Sequence, residues 1–269
     1  MRLRGAGIAT AVLDADLLLA FAVGVRKEDV YAHPEAPITG DALRRYDALV
    51  ERRARGEPVA YLRGVKEFYG MALAVDPRVL IPRPESELLV DEAARRLRPH
   101  PSPLVVDLGT GSGAVAIALA RELPLARIIA TDAAADALEV ARANALRHGV
   151  ADRIELRAGD LLAPVAERVE AVVANLPYLT TAEVDAGGGT SLEFEPRAAL
   201  DGGEDGLDVI RRAIADLPTH LAPGGVALLE CAPAQARAVA ILMRRTLHAK
   251  TAVERDLAGR DRVVAGVRS

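Results

Sequence analysis

The stretch PLVVDLGTGSGAVAIALAREL, residues 103–123, decides the fold. Its first residues form a short apolar run that closes on Asp107. Gly109, Gly111 and Gly113 follow within five positions, and then an alanine-rich run begins. A run that short and that apolar reads as a strand buried on both faces. The glycines let the chain turn tightly and bring its backbone close to a ligand with no side chain in the way. The alanine-rich run reads as a helix, so the stretch is one strand–turn–helix unit.

The same alternation continues outward. ARIIATD (126–132) is a strand ending at Asp132, and ADALEVARANALRHG (135–149) is a helix closed by Gly149. RIELRAGD (153–160) is a strand ending at Asp160, and EAVVAN (170–175) is a strand ending at Asn175. In LDVIRRAIADLPTHL (207–221), Leu207, Ile210, Ile214, Leu217 and Leu221 share one helix face. GVALLEC (225–231) is a strand, QARAVAILMRRTL (235–247) a helix, and TAVERDLAGRDRVVAGV (251–267) holds two more strands. Alternating β and α implies an α/β fold with a doubly wound, mostly parallel sheet. Ligands of such sheets bind beyond the carboxyl ends of the strands. Asp107, Asp132, Asp160 and Asn175 all fall at those ends, which marks a site.

Before this region the pattern is different. Residues 1–62 read as helical. In TGDALRRYDALVERRARG (39–56), Leu43, Tyr46 and Val50 fall on one face, Thr39 is placed to cap the helix, and Gly56 and Pro58 stop it. Its arginines read as a solvated face. VKEFYGMALAVDPRVLIPRP (65–84) alternates like a β-hairpin. The expected organisation is a helical domain over 1–62, a hairpin linker over 63–85 and a catalytic domain over 86–269.

Bulk properties narrow the function. The chain has 269 residues, 51% hydrophobic and 27% charged, enough to bury a large core. Its formal charge of -4 argues against a broadly basic nucleic-acid surface. The one cysteine, Cys231, fits a reducing cytoplasm. No apolar run spans a membrane, and Asp14 and Asp16 interrupt the apolar N-terminal stretch, so no signal peptide is expected. The five histidines are scattered, so no metal site is expected.

The glycine loop satisfies the dinucleotide fingerprint through Gly109, Gly111 and Ala114. Asp132 suits a ribose diol in either a dinucleotide enzyme or a methyltransferase. A hydride-transfer enzyme usually offers a His or Tyr acid near its substrate, and no histidine stands at a strand end. S-adenosylmethionine carries no phosphate, and the loop can then approach its methionine and sugar portions. Asp160 is placed to reach an adenine amino group.

Against that background VVANLPYLTT (172–181) has a reading of its own. A planar amide or amino nitrogen is a poor nucleophile because its lone pair is delocalised. Two oxygen acceptors holding its two N–H groups would aim the lone pair at a sulfonium methyl. Asn175 offers a side-chain oxygen and Leu176 its carbonyl. Pro177 pushes residue 176 towards extended backbone and fixes its own φ. Tyr178 can pack over the planar group. Positioning and desolvation, rather than acid–base chemistry, would supply the rate.

The sequence resembles the HemK/PrmC family of protein-(glutamine-N5) methyltransferases throughout its length. The resemblance rests on RRARGEPVAYLRGVKEFYG (52–70), LIPRPESELLV (80–90), DLGTGSGAVAIALA (107–120), NLPY (175–178) and FEPRAALDGGEDGL (194–207). It implies a class I S-adenosylmethionine-dependent methyltransferase, Rossmann-like with a seven-stranded mostly parallel sheet, preceded by a small helical domain. It implies S-adenosylmethionine as methyl donor and, as substrate, the glutamine of the Gly-Gly-Gln motif in peptide chain release factors. Asn175, Leu176, Pro177 and Tyr178 would then form the catalytic loop. Gly109, Thr110, Gly111, Ser112, Gly113, Asp132, Asp160, Leu161 and Asn175 would line the cofactor. Arg83 and Glu87 would brace the cofactor region or form a purely interdomain salt bridge. The departure is Leu176, where the family has proline. NLPY is also similar to the motif of adenine dimethyltransferases, so adenine-N6 methylation of RNA or DNA is the alternative. The acidic balance and the position of the extra domain favour glutamine.

Overall fold

The computed structural model describes residues 2–188, 190–248 and 250–269. It separates into two compact units, one of Met1–Val65 with Gly187–Phe194 and one of Lys66–Ala186 with Glu195–Ser269.

The first unit contains α1 (Arg2–Gly5), α2 (Ala11–Val23), α3 (Lys27–Ala32), α4 (Gly40–Ala54) and α5 (Val59–Arg63). Leu3, Leu18, Ala22, Leu49, Val50 and Leu62 form its core. Thr39 caps α4, its hydroxyl accepting the Ala42 N–H at 3.3 Å. The buried stripe of α4 is Ala42, Leu49 and Val50 with Tyr46 beside it, while Leu43 is exposed. Leu43 lies one residue, about 100° of helix, away from the face that packs. Nor are the arginines of α4 all solvated. Arg53 is half-buried, and its Nε donates to Asp14 at 2.7 Å.

The second unit opens with the hairpin β1 (Val65–Phe68) and β2 (Met71–Ala74). Tyr69 takes a left-handed φ of 52° at the turn. After α6 (Glu87–Leu97) come β3 (Leu104–Leu108), α7 (Ala114–Glu122), β4 (Arg127–Asp132), α8 (Ala135–Arg147), β5 (Ile154–Ala158) and β6 (Val169–Ala174). Then follow α9 (Thr181–Ala186), α10 (Asp208–His220), β7 (Leu221–Glu230), α11 (Ala236–Leu247), β8 (Lys250–Arg255) and β9 (Asp261–Val267). Among the described residues, seven strands pair in the order β5-β4-β3-β6-β7-β9-β8. All pairs are parallel except β7–β9 and β8–β9.

Strand side chains alternate between two layers, as the period of two requires. Ala171 and Val173 of β6 pack with residues of α6 and α7. Val172 and Ala174 pack with Ile210 and Ile214 of α10 and Val239 of α11. Helices on both faces explain why β3 and β6 are apolar but for Asp107 and Glu170. The chain order reverses between β3 and β6, so the loops after these strands border the crevice where doubly wound sheets bind ligands. No helix among the described residues is long and apolar enough to cross a membrane.

Candidate active site

The glycine loop runs from the end of β3 into α7. Gly113 begins the helix at φ 81°, and a Cβ there would lie 3.2 Å from the Ala141 Cβ and the Ile117 Cδ1. Only glycine combines that backbone with so close an approach of α7 to α8. The Thr110 N–H donates to the Thr131 carbonyl at 3.0 Å, fastening the loop to β4. Asp107 is buried and accepts the Thr110 hydroxyl at 2.7 Å and the Ala116 N–H at 3.1 Å. Burial pushes its carboxyl up to about 7. It therefore braces the loop from within, although its place near a strand end grouped it with Asp132, Asp160 and Asn175.

Asp132 ends β4 with one carboxylate oxygen accepting the Gly111 N–H and the other the Ala134 N–H, both at 2.9 Å. Each oxygen keeps a lone pair for a further donor. Asn144 fastens the other side of the loop. Its Nδ2 donates to the carbonyls of Ser112 and Ala74, each at 2.9 Å, and its Oδ1 accepts the Ala74 N–H at 2.7 Å. One fully buried amide thus ties β2 to the glycine loop. In the sequence it is an unremarked residue on a helix.

Strand β5 ends at Ala158, two residues before Asp160. The Gly159 N–H donates to the Asp132 carbonyl at 3.0 Å, and the chain turns there. Asp160 forms an ion pair with Arg212. Leu161 is buried at a left-handed φ of 48°, and its carbonyl accepts the Thr131 hydroxyl at 3.0 Å. Leu161 is thus tied to β4 through Thr131, while Asp160 turns to Arg212 of α10.

Asn175 follows β6. Its Nδ2 donates to the Ser86 hydroxyl at 2.9 Å, and that hydroxyl donates to Glu230 Oε2 at 2.6 Å. Tyr178 reaches the other oxygen of Glu230 at 3.4 Å. Burial, with the Glu230 charge adding to it, pushes the Tyr178 phenol up to about 12. Burial also pushes the Glu230 carboxyl upward, while the Ser86 hydrogen bond and the Arg262 charge oppose this. Among the described residues, neither Asn175 Oδ1 nor the Leu176 carbonyl has a hydrogen-bond partner. Two neighbouring acceptors are thus left free.

The rest of the loop is clamped. The Leu179 N–H donates to Leu200 at 3.1 Å, Gly202 donates to the Leu179 carbonyl at 2.8 Å, and Gln235 Nε2 donates to the Tyr178 carbonyl at 2.9 Å. Gly206, at φ 72°, presses so closely that a Cβ would sit 2.3 Å from the Tyr178 carbonyl oxygen. This accounts for the last glycine of LDGGEDGL, and Gly202 is held likewise, a Cβ there meeting the Pro177 carbonyl oxygen at 2.7 Å. Arg83 and Glu87 both make their contacts within the second unit, so the pair formed by Arg83 is not an interdomain one. Arg83 pairs at 2.5 Å with buried Glu195, which also accepts the Ile81 N–H at 3.1 Å, and Glu87 accepts the Tyr69 N–H at 2.7 Å.

Leu176 is buried among Leu161, Leu162 and Leu207, and its N–H makes no hydrogen bond among the described residues. Leu176→Pro therefore loses packing but no backbone bond. Turnover should change less than about tenfold, while stability falls by about 1–3 kcal/mol from lost burial. Steady-state assays and urea unfolding of the variant check both. A change of substrate preference would make residue 176 a specificity residue instead.

A cavity lined by Phe68, Leu80, Pro82, Gly109, Gly111 and Asn175 joins the loop to the asparagine. Apolar walls, glycine backbone and the spare lone pairs of Asp132 fit S-adenosylmethionine, which has an apolar thioalkyl chain, a cationic sulfonium and a ribose diol. The PrmC N-terminal domain family matches residues 1–64, and the methyltransferase small domain family matches residues 85–204. The chain is 40% identical to the release factor glutamine methyltransferase of Geobacter sulfurreducens, over 97% of this chain and 90% of that relative. It is 41% identical to the release factor glutamine methyltransferase of Cereibacter sphaeroides, over 98% and 94%. In fold it is similar to the 16S rRNA N2 G1207 methyltransferase of Thermus thermophilus, with a TM-score of 0.56 and 18% identity over 76% of this chain and 50% of that one. The sheet is that of the class I S-adenosylmethionine-dependent methyltransferases, and likeness in sequence over nearly the whole length shows that the chain belongs to the release factor glutamine methyltransferase family.

Proposed function

We propose that the protein methylates the side-chain amide nitrogen of the glutamine in the Gly-Gly-Gln motif of peptide chain release factors, using S-adenosylmethionine. The observation that carries this reading is the pair of free acceptors, Asn175 Oδ1 and the Leu176 carbonyl, beside the cavity. Two adjacent oxygens match the two N–H groups of a primary amide. S-adenosylmethionine, when bound, supplies an electrophilic methyl on a sulfonium. The backbone of Gly109–Gly113, including Thr110 and Ser112, would hold it, with Asp132 at the ribose and Asp160 and Leu161 at the adenine. Asn175 and Leu176 orient the amide nitrogen, Pro177 keeps residue 176 extended, and Tyr178 walls the pocket. Residues 1–62 form the substrate-recognition domain in this reading, 63–85 the hairpin linker and 86–269 the catalytic domain. A translation factor as substrate places the enzyme in the cytoplasm.

The test is incubation with labelled methyl donor and two candidates, a release factor and ribosomal RNA. Label should appear on the release factor and be lost when its Gly-Gly-Gln glutamine is changed to alanine. Methyl found on adenine would overturn the assignment. Asp132→Ala should weaken cofactor binding by about 1.5–3 kcal/mol, the scale of charge-assisted hydrogen bonds. Unaltered affinity in calorimetry would remove Asp132 from the site.

A further inference from the structure

Asn175 presents two nearly isosteric ends, an oxygen and an NH2 group. Only the oxygen can receive an N–H from a substrate amide. Reversal of the amide would set donor against donor. What fixes the direction lies behind it. The Ser86 hydroxyl has one proton, and a hydroxyl can face an asparagine either as donor or as acceptor. Glu230 Oε2 takes that proton at 2.6 Å, so Ser86 accepts Asn175 Nδ2 at 2.9 Å, and Oδ1 is left for the substrate.

We propose that Glu230 and Ser86 are positioning residues for methyl transfer, an acceptor-only carboxylate that sets, through one hydroxyl, which end of the Asn175 amide faces the substrate. The proposal rests on the functional reading above and adds two residues that touch neither substrate nor methyl donor. The three groups come from separate elements: Asn175 after β6, Glu230 at the end of β7 and Ser86 just before α6. Glu230 and Ser86 are buried at 0% and 3% exposure, so water does not compete for the relay.

A buried carboxylate needs support to stay ionised. Arg262, itself buried on β9, is the opposing charge. Tyr178 adds a donor, Glu85 acts against it as a like charge, and the Cys231 thiol is adjacent and itself pushed up to about 12 by burial. Burial raises the Glu230 carboxyl, so acid reaches it sooner than it would an exposed glutamate. A protonated Glu230 can donate to Ser86. The hydroxyl proton is then free to turn towards Asn175, and the amide loses its fixed direction.

The test compares the wild-type enzyme with Glu230→Gln, Ser86→Ala and Ser86→Thr, using release factor and labelled methyl donor. Glutamine keeps the shape of Glu230 but can donate where the carboxylate cannot. Glu230→Gln should lower kcat about tenfold or more, with KM and cofactor Kd within about twofold. Ser86→Ala should lose a similar factor, and Ser86→Thr, which keeps the hydroxyl, should recover most of it. The double variant should be no slower than the worse single one, as for groups that act as a unit. The acid limb of the wild-type kcat profile should be absent in Glu230→Gln. If Glu230→Gln does not fold, the Ser86 pair decides. Wild-type kcat in Glu230→Gln with its acid limb unchanged, or equal loss in Ser86→Ala and Ser86→Thr, overturns the relay alone. A wild-type enzyme inactive on release factor overturns the functional reading and the relay together.

Discussion

Asn175→Ala should bind S-adenosylmethionine with near-normal affinity and methylate release factor at least about a hundredfold more slowly, a loss of about 2.7 kcal/mol of transition-state stabilisation. The side chain's nitrogen is already held by Ser86, so its oxygen is a fixed acceptor rather than a swinging one. Alanine removes one of two oxygens that aim the amide nitrogen and leaves the Leu176 carbonyl to hold the group alone. A single contact lets the amide pivot, and in-line displacement tolerates little pivoting. Asn175→Asp is a sharper variant. A carboxylate would set an acceptor against Ser86, whose one proton already goes to Glu230. It should be as slow as alanine despite its near-identical shape. Single-turnover methylation, with cofactor binding measured separately, checks both variants. Full activity in Asn175→Ala would sink the two-acceptor mechanism.

The second large effect lies in the helical unit. Asp14 is buried, accepts the Thr10 hydroxyl at 2.9 Å and pairs with Arg53 Nε at 2.7 Å. Arg53 also donates to the Gly56 and Glu57 carbonyls at 3.0 and 3.2 Å, holding the end of α4. Asp14→Ala would leave a guanidinium whose side chain is only 13% exposed without its counter-charge, at a cost of about 3 kcal/mol. That is a large part of the ~5–15 kcal/mol that stabilises an ordinary domain. The Asp14→Ala, Arg53→Met double variant should recover most of the loss, because two apolar groups need no pairing. Urea unfolding followed by circular dichroism measures both. A single variant within about 1 kcal/mol of wild type would show that water reaches Arg53.

The sheet and the glycine loop were legible because their signals are local. Apolar runs of strand length, glycines at a turn and an acid at the next strand end all lie within short windows, and Asn175–Tyr178 announces itself by turn chemistry. What was not legible is polar pairing at long range. Ser86 and Glu230 are 144 residues apart, and Ser86 alone reads as an ordinary helix cap. Asn144 has no local mark of its bonds to Ala74, 70 residues away. Glu230 did carry a signal, a charged residue closing the apolar run VALLE, the same placement that singled out Asp132. Leu43 and Asp160 were misplaced by one or two residues for a related reason. Periodicity fixes that an element exists more firmly than where its face or its end lies.

Gly202, Gly206 and Gln235 hold the backbone from Pro177 to Leu179 in the free protein. The conformational entropy of the acceptor loop is therefore given up during folding and not when substrate arrives. Under the proposed activity, the disorder left to suppress belongs to the glycine-rich tip of the partner. A short linear Gly-Gly-Gln peptide would bind weakly however good its contacts. The same peptide cyclised into its bound shape would gain more affinity than further stiffening of the enzyme could give.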